Sequence, residues 1–220
     1  MILRTADDRL ILGHRISEWC GHAPMLEEDI ALSNIALDLI GQASAFYTHL
    51  GRQDGKSEDD YAYKRRADEF LCCQLVELPR GDFAQTIARL FLWASSDVLF
   101  LEQLCTDPDK EIAAIGARSL KESKYHLRHS SEWVLRLGDG TKESHDKIQA
   151  AFEFYWPFSG GLIREGFKEQ FLKNVKDHLR KATLDLPKSE FLQSNSHTEF
   201  LEPLLREMQY LPRKYPDAVW

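Results

Sequence analysis

Apolar residues recur along the chain at three- and four-residue spacings, and strict alternation of apolar and polar positions persists nowhere. The first spacing gathers side chains on one side of an α-helix, whereas alternation would mark a half-buried strand. Pro24, Pro79, Pro108, Pro157 and Pro187 leave long proline-free stretches between them, as helices require. The pattern predicts an all-α chain.

A first helix is expected from Asp7 to Cys20, opened by the acidic pair Asp7-Asp8 and stopped by Gly21 and Pro24. A second runs from Met25 to Leu50, with Gly51 as its stop. Its middle (Ile30, Leu32, Ile35, Leu37, Leu39, Ile40, Phe46) is apolar nearly all round, which assigns it to the centre of a bundle. Residues 52–60 read as a polar loop and Asp60–Leu75 as a shorter helix. Asp82 caps a third long helix, Phe83–Leu104, and a fourth spans Asp109–Leu137, closed by Gly138-Asp139-Gly140. Short turns join the first helix to the second and the third to the fourth, and a longer connection joins the second to the third. That is a four-helix bundle with one long crossover, the ferritin-like layout. Further helices are expected at Lys142–Trp156, Arg164–Leu186 and Thr198–Leu211. The chain reads as one domain, with the bundle at about 7–140 and a C-terminal helical extension at about 141–220.

A ferritin-like bundle raises the question of a di-metal site, which takes a Glu from each of two helices and an E-x-x-H pair from each of the others. No E-x-x-H occurs in the sequence. Polar residues nevertheless stand where ligands would be. Asn34, Asp38 and Gln42 form a stripe on the second helix, but Gly41 follows Asp38 at the third position. On the fourth, Glu122 is followed at that spacing by Tyr125, with His126 one place further. Glu18, and Asp97 or Glu102, complete a degenerate set. These residues are expected to satisfy one another as a buried hydrogen-bonded network. The competing reading is a stand-alone di-metal oxidase with Glu18, Asp38, Glu122 and His126 as an atypical ligand set.

Arg118, Lys121, Lys124 and Arg128 dot the fourth helix; Lys121, Lys124 and Arg128 are the candidates for contacting a phosphate-bearing substrate, although such runs are usually solvated. Glu122, His126, His129 and Trp133 share one side of that helix, opposite Ala113, Leu120, Leu127 and Val134. The aromatics of FEFYWPF, with Trp133, suit a surface covered by another chain.

Lys and Arg number 28 against 35 Asp and Glu, a net charge of −7, which argues against a duplex-binding face. The longest apolar run, Leu90–Ala94, is far short of the ~20 residues of a membrane span. The opening MILRTADD reaches acids before any apolar stretch, so no secretory signal is expected. Cys20, Cys72, Cys73 and Cys105 lack metal or disulfide spacing and read as reduced thiols of a cytoplasmic protein. P-loop, G-x-S-x-G, H-E-x-x-H and G-x-G-x-x-G motifs are absent.

LGHRISEWCGHAPMLEEDIALSNIALDLIGQA, GDFAQTIARLFL, LKESKYHLRHSSEWVLRLGDGTKESH and HTEFLEPLLREMQYLPRKYPDAVW together resemble the C subunits of the multicomponent 1,2-phenylacetyl-CoA epoxidases. The resemblance covers nearly the whole chain and is weakest at 52–64 and 186–196. It implies a ferritin-like fold and a place in a complex that epoxidises the aromatic ring of phenylacetyl-CoA with O₂ and reducing equivalents from an NADPH-dependent reductase subunit. It further implies that the di-iron centre belongs to a related catalytic subunit of the same complex. This chain would then carry no cofactor of its own and pair with that di-iron subunit as a structural partner. An uncovered partner face also suits self-pairing, so a homodimer is the expected alternative for the isolated chain.

Overall fold

The computed structural model describes every residue except Glu165, Ser194, Asn195, Asp217, Val219 and Trp220. The described residues contain helices and turns and no strand, the all-α, ferritin-like class that the pattern predicts. They divide into two compact units, Met1–Pro79 with Asn195–Trp220, and Arg80–Ser194.

The first unit is built on a hairpin of two helices, α1 (Ile2–Ser17) and α2 (Leu26–Asp54). α1 starts well before the Asp7-Asp8 pair expected to open it, because these carboxylates are buried anchors rather than caps. Asp7 Oδ1 accepts the Tyr47 hydroxyl at 2.6 Å, and Asp7 Oδ2 accepts from Arg65 at 3.0 Å and from the Leu71 N–H at 2.8 Å. Asp8 Oδ1 accepts the Cys73 N–H at 2.7 Å. α2 also runs past its expected stop. Gly51 lies inside the helix, where a Cβ would fall 2.1 Å from the Lys56 carbonyl oxygen. The terminator is Gly55, in the left-handed conformation at φ 77°.

These carboxylates also explain why the helix expected at Asp60–Leu75 does not form as one piece. A Ser57 cap starts α3 (Glu58–Tyr63), a single turn follows at Ala67–Glu69, and α4 is only Gln74–Glu77. Between them the backbone is held extended by N–H groups donating to Asp7 and Asp8, so its donors are satisfied without a helix. Cys72 and Cys73 therefore sit in a buried extended segment rather than on a helix, and burial raises both thiols well above their ordinary range. All four cysteines are free thiols.

In the second unit, α5 (Phe83–Leu104) starts and ends where the sequence predicts. The Asp82 carboxylate accepts the Gln85 N–H at 2.8 Å while the Gln85 side chain accepts the Asp82 N–H at 2.9 Å. α6 (Lys110–Gly138) is capped by Asp109, whose carboxylate accepts the Glu111 N–H at 2.8 Å. α7 (Lys142–Tyr155) runs into a tight turn at Trp156–Leu162, and α8 (Lys168–Lys181) is shorter than the expected 164–186. α5 packs against α6, α7 and α8, and 17 of its 22 residues are buried. It is thus α5 that fills the centre of its unit, although the apolar circumference of α2 had pointed to α2 for such a role. The chain then returns to the first unit, which two short helices complete: α9 (Leu201–Met208) and α10 (Tyr210–Lys214), in place of the one expected at Thr198–Leu211.

The buried seam of α6 is Gly116, Ser119, Ser123, His126, Ser130, Val134 and Gly138, not the Ala113–Leu120–Leu127 stripe. Small residues let two helices approach closely: a Cβ on Gly116 would lie 3.2 Å from Leu104. The aromatic cluster after α7 is mostly core. Phe152 meets Phe91 edge-on at 5.9 Å, Trp156 stacks on Phe171 at 6.5 Å, and both are buried. Trp133 packs its ring edge-to-face with Phe83 at 4.9 Å. Most of these rings serve their own unit; of the aromatics of FEFYWPF, Phe154 is exposed and Phe158 half-buried. No described helix is long and apolar enough to cross a membrane.

Candidate functional site

The polar stripe of α2 twists around its helix. Each four-residue step advances about 400°, or 40° beyond a full turn, so Asn34 is exposed, Asp38 half-buried and Gln42 buried. Gln42 Oε1 accepts from Arg9 Nε at 2.9 Å. Arg9 is fully buried; it also donates to the Thr5 carbonyl at 3.1 Å and lies 5.3 Å from the centre of the Phe46 ring. At the buried end of the stripe, a guanidinium already supplies a fixed positive charge.

Glu18 lies beyond the last turn of α1, half-buried, and accepts from Arg15 at 2.8 Å. Arg15 in turn donates to the Glu77 carbonyl at 3.0 and 2.8 Å and to the Phe200 carbonyl at 3.1 Å, so this pair fastens the chain around it. On α6, Glu122 is half-buried and 3.6 Å from Arg118. Tyr125 is exposed, and His126 is fully buried in the seam. The Ser123 hydroxyl donates to Asp97 at 2.8 Å, joining α5 to α6. Glu102 faces outward and pairs with Lys124 at 3.2 Å.

On the α1–α2 hairpin the buried ligand position is an amide, and its oxygen is committed to a cation that would repel metal ions. On α6 the residue three after Glu122 is an exposed phenol. Lys121, Lys124 and Arg128 are all exposed; Lys124 is engaged by Glu102, and Arg128 lies over the Tyr125 ring at 5.6 Å.

Sequence reading missed Arg9 and Arg65. Arg9 left a signal, because Leu12, Gly13 and Ile16 share its helix face and are buried. A charged residue in such a face announces a buried polar partner. Arg65 left none, since its partner Asp7 lies far away in the sequence. In the fold, burial works against the Arg65 charge, but the hydrogen bonds to Asp7 outweigh it and hold the guanidinium above its ordinary range. Tyr47, between them, is pushed up by burial and by Asp7.

The outer face of α2 has another character. Leu26 is 72% exposed, Ile30 54% and Leu37 67%, and Asn34, Gly41 and Thr48 share that face. From Ile30 to Thr48 none of its exposed positions is charged. Lone exposed apolar residues are ordinary; three of them on one uncharged helix face form a candidate interaction surface.

The family model described as phenylacetic acid catabolic protein matches residues 1–220. The chain is also 38% identical over 240 aligned positions to the C subunit of the 1,2-phenylacetyl-CoA epoxidase of Escherichia coli (strain K12), covering 99% of this chain and 97% of that one. With a match of that length and identity, the chain belongs to the phenylacetic acid catabolic protein family.

Proposed function

We propose that this chain is a non-catalytic subunit of a 1,2-phenylacetyl-CoA epoxidase, paired with a related catalytic subunit that carries the di-iron centre. The observation that carries the reading is the outer face of α2, where Leu26, Ile30 and Leu37 are exposed and no exposed position from Ile30 to Thr48 is charged, while Leu32, Ile35, Leu39 and Phe46 on its other side are buried. Arg9 on Gln42 supports the non-catalytic part, because a bundle stabilised by its own buried cation needs no metal to hold its polar stripe. A partner that binds only the folded catalytic subunit stabilises it by mass action. In this reading the chain contributes a matching helical surface and no proton, electron or oxygen chemistry.

The test is co-expression with the catalytic subunit, followed by size exclusion and an epoxidation assay. The wild-type chain is expected to co-elute and to be required for activity. Leu37→Asp is expected to abolish co-elution while the chain stays folded. A catalytic subunit that is soluble and fully active alone would overturn the proposal. Self-pairing of the isolated chain through the same face would appear as a dimer that Leu37→Asp returns to monomer. Lys121→Glu with Arg128→Glu asks separately whether exposed α6 meets the CoA portion of the substrate; an unchanged affinity for phenylacetyl-CoA would exclude it.

A further inference from the structure

Away from the helical polar stripes, three metal-ligating side chains converge in the first unit. Cys72 and Glu77 bracket the extended segment and α4, and His197 comes from the segment before α9. One ligand atom from each lies within 4.8 Å of the others. Glu77 Oε1 is 2.6 Å from His197 Nδ1 and 3.6 Å from Cys72 Sγ. The carboxylate is fully buried.

The surroundings orient each ligand. His197 Nε2 lies 2.8 Å from the Phe70 carbonyl oxygen, an acceptor only, so Nε2 carries the proton that it donates. That bond fixes the ring with Nδ1 turned toward Glu77 and Cys72. Glu77 Oε2 accepts from the Thr198 N–H at 2.6 Å and from its hydroxyl at 2.7 Å, which leaves Oε1 to the cluster. A histidine held by a backbone carbonyl and a carboxylate held by outer hydrogen bonds are the supports that metal ligands carry.

Distances agree with a tetrahedral ion. Zinc bonds of about 2.3 Å to sulfur and about 2.0–2.2 Å to nitrogen and oxygen place neighbouring ligand atoms roughly 3.3–3.6 Å apart. The Sγ–Oε1 separation is already 3.6 Å, and the Nδ1–Oε1 separation of 2.6 Å opens to that range by a small side-chain rotation. A quarter of the His197 side chain is exposed, which gives an ion a way in and a fourth position for water. Mixed sulfur, nitrogen and oxygen donors favour zinc over magnesium or calcium.

The geometry points to a binding site for a zinc-class divalent cation at Cys72, Glu77 and His197. The ion takes the place of two protons, one on the Cys72 thiol and one between His197 Nδ1 and Glu77, and both leave to solvent. It fastens the segment before α9 to α4 and has no part in the epoxidation.

The test is a titration of the full chelator-stripped chain with zinc and with cobalt(II). One equivalent is expected to bind, with the visible bands of tetrahedral cobalt and a thiolate-to-cobalt charge-transfer band. Cys72→Ser is expected to remove the charge-transfer band and weaken zinc binding at least about tenfold, and His197→Gln to weaken it similarly while keeping the band. Cys20→Ser, which changes the exposed thiol near His22, is expected to alter neither. Absence of saturable binding overturns the assignment, as does a band that survives Cys72→Ser and vanishes with Cys20→Ser. If one variant fails to fold, a wild-type cobalt spectrum without thiolate charge transfer is enough to overturn it.

Discussion

α2 and α5 look alike as sequences, for both are long and apolar nearly all the way round. α5 is enclosed by α6, α7 and α8, with Leu90, Leu92 and Ala94 fully buried. α2 buries Leu32, Ile35, Leu39 and Phe46 but leaves Leu26, Ile30 and Leu37 in the open. Apolar circumference therefore states only that a helix is to be covered. Whether its own chain or another one covers it depends on which segments fold back on it. α5 has three such helices within its own unit; on the outer face of α2, Glu58 of α3 reaches Thr48 at 3.3 Å, while Leu26, Ile30 and Leu37 stay exposed.

The comparison can be broken first at α5. Phe91→Ala is expected to cost about 3–5 kcal/mol, as for a fully packed aromatic, measured by urea denaturation. An effect below about 1 kcal/mol would show that α5 is no better enclosed than α2. Next comes the buried tie beneath α2. Asp7→Asn leaves the Arg65 guanidinium without its counter-charge and is expected to cost about 3 kcal/mol or more in the same measurement.

A smaller effect follows pH. Burial lowers His178, which packs on Phe91 of α5 at 4.8 Å and lies 2.9 Å from the Ser131 carbonyl, below its ordinary 6.5. His14 of α1 is lowered by burial too, against the pull of Glu18. The unfolded chain then binds more protons than the folded one between the lowered values and 6.5. Stability is full above 6.5, falls as pH drops below it, and levels off beneath the folded values. His178→Gln is expected to flatten the α5 share of that dependence, and an unchanged slope would remove His178 from the account. The smallest effect belongs to Leu37→Asp, expected to move the stability of the isolated chain by no more than about 0.5 kcal/mol while abolishing pairing.

Local chemistry made α5 and α6 legible. Asp82 with Gln85 and Asp109 with the Glu111 N–H are caps written within four residues, and caps of that kind set boundaries from sequence alone. The segment after Lys64 was illegible for the opposite reason. Its backbone partners, Asp7 and Asp8, stand on α1, and no periodicity connects them to Leu71 and Cys73. The candidate polar set was legible as residue types but not as roles. Asp38 and Gln42 differ in burial through a rotation that spacing predicts, whereas Arg9, which decides what Gln42 does, reads as a break in an apolar face. The seam of α6 was missed because glycine and serine carry no hydrophobic signal.

The first unit draws on both ends of the chain, whereas the second is continuous. Glu77 receives His197 and Thr198 only after the whole intervening unit has been made. At roughly 5–20 residues per second, translation separates those partners by on the order of ten seconds. Throughout that interval the nascent chain holds Glu77 and Cys72 uncovered, while α5 and its neighbours can already assemble. The first unit is thus an early-made half that waits for its last strap.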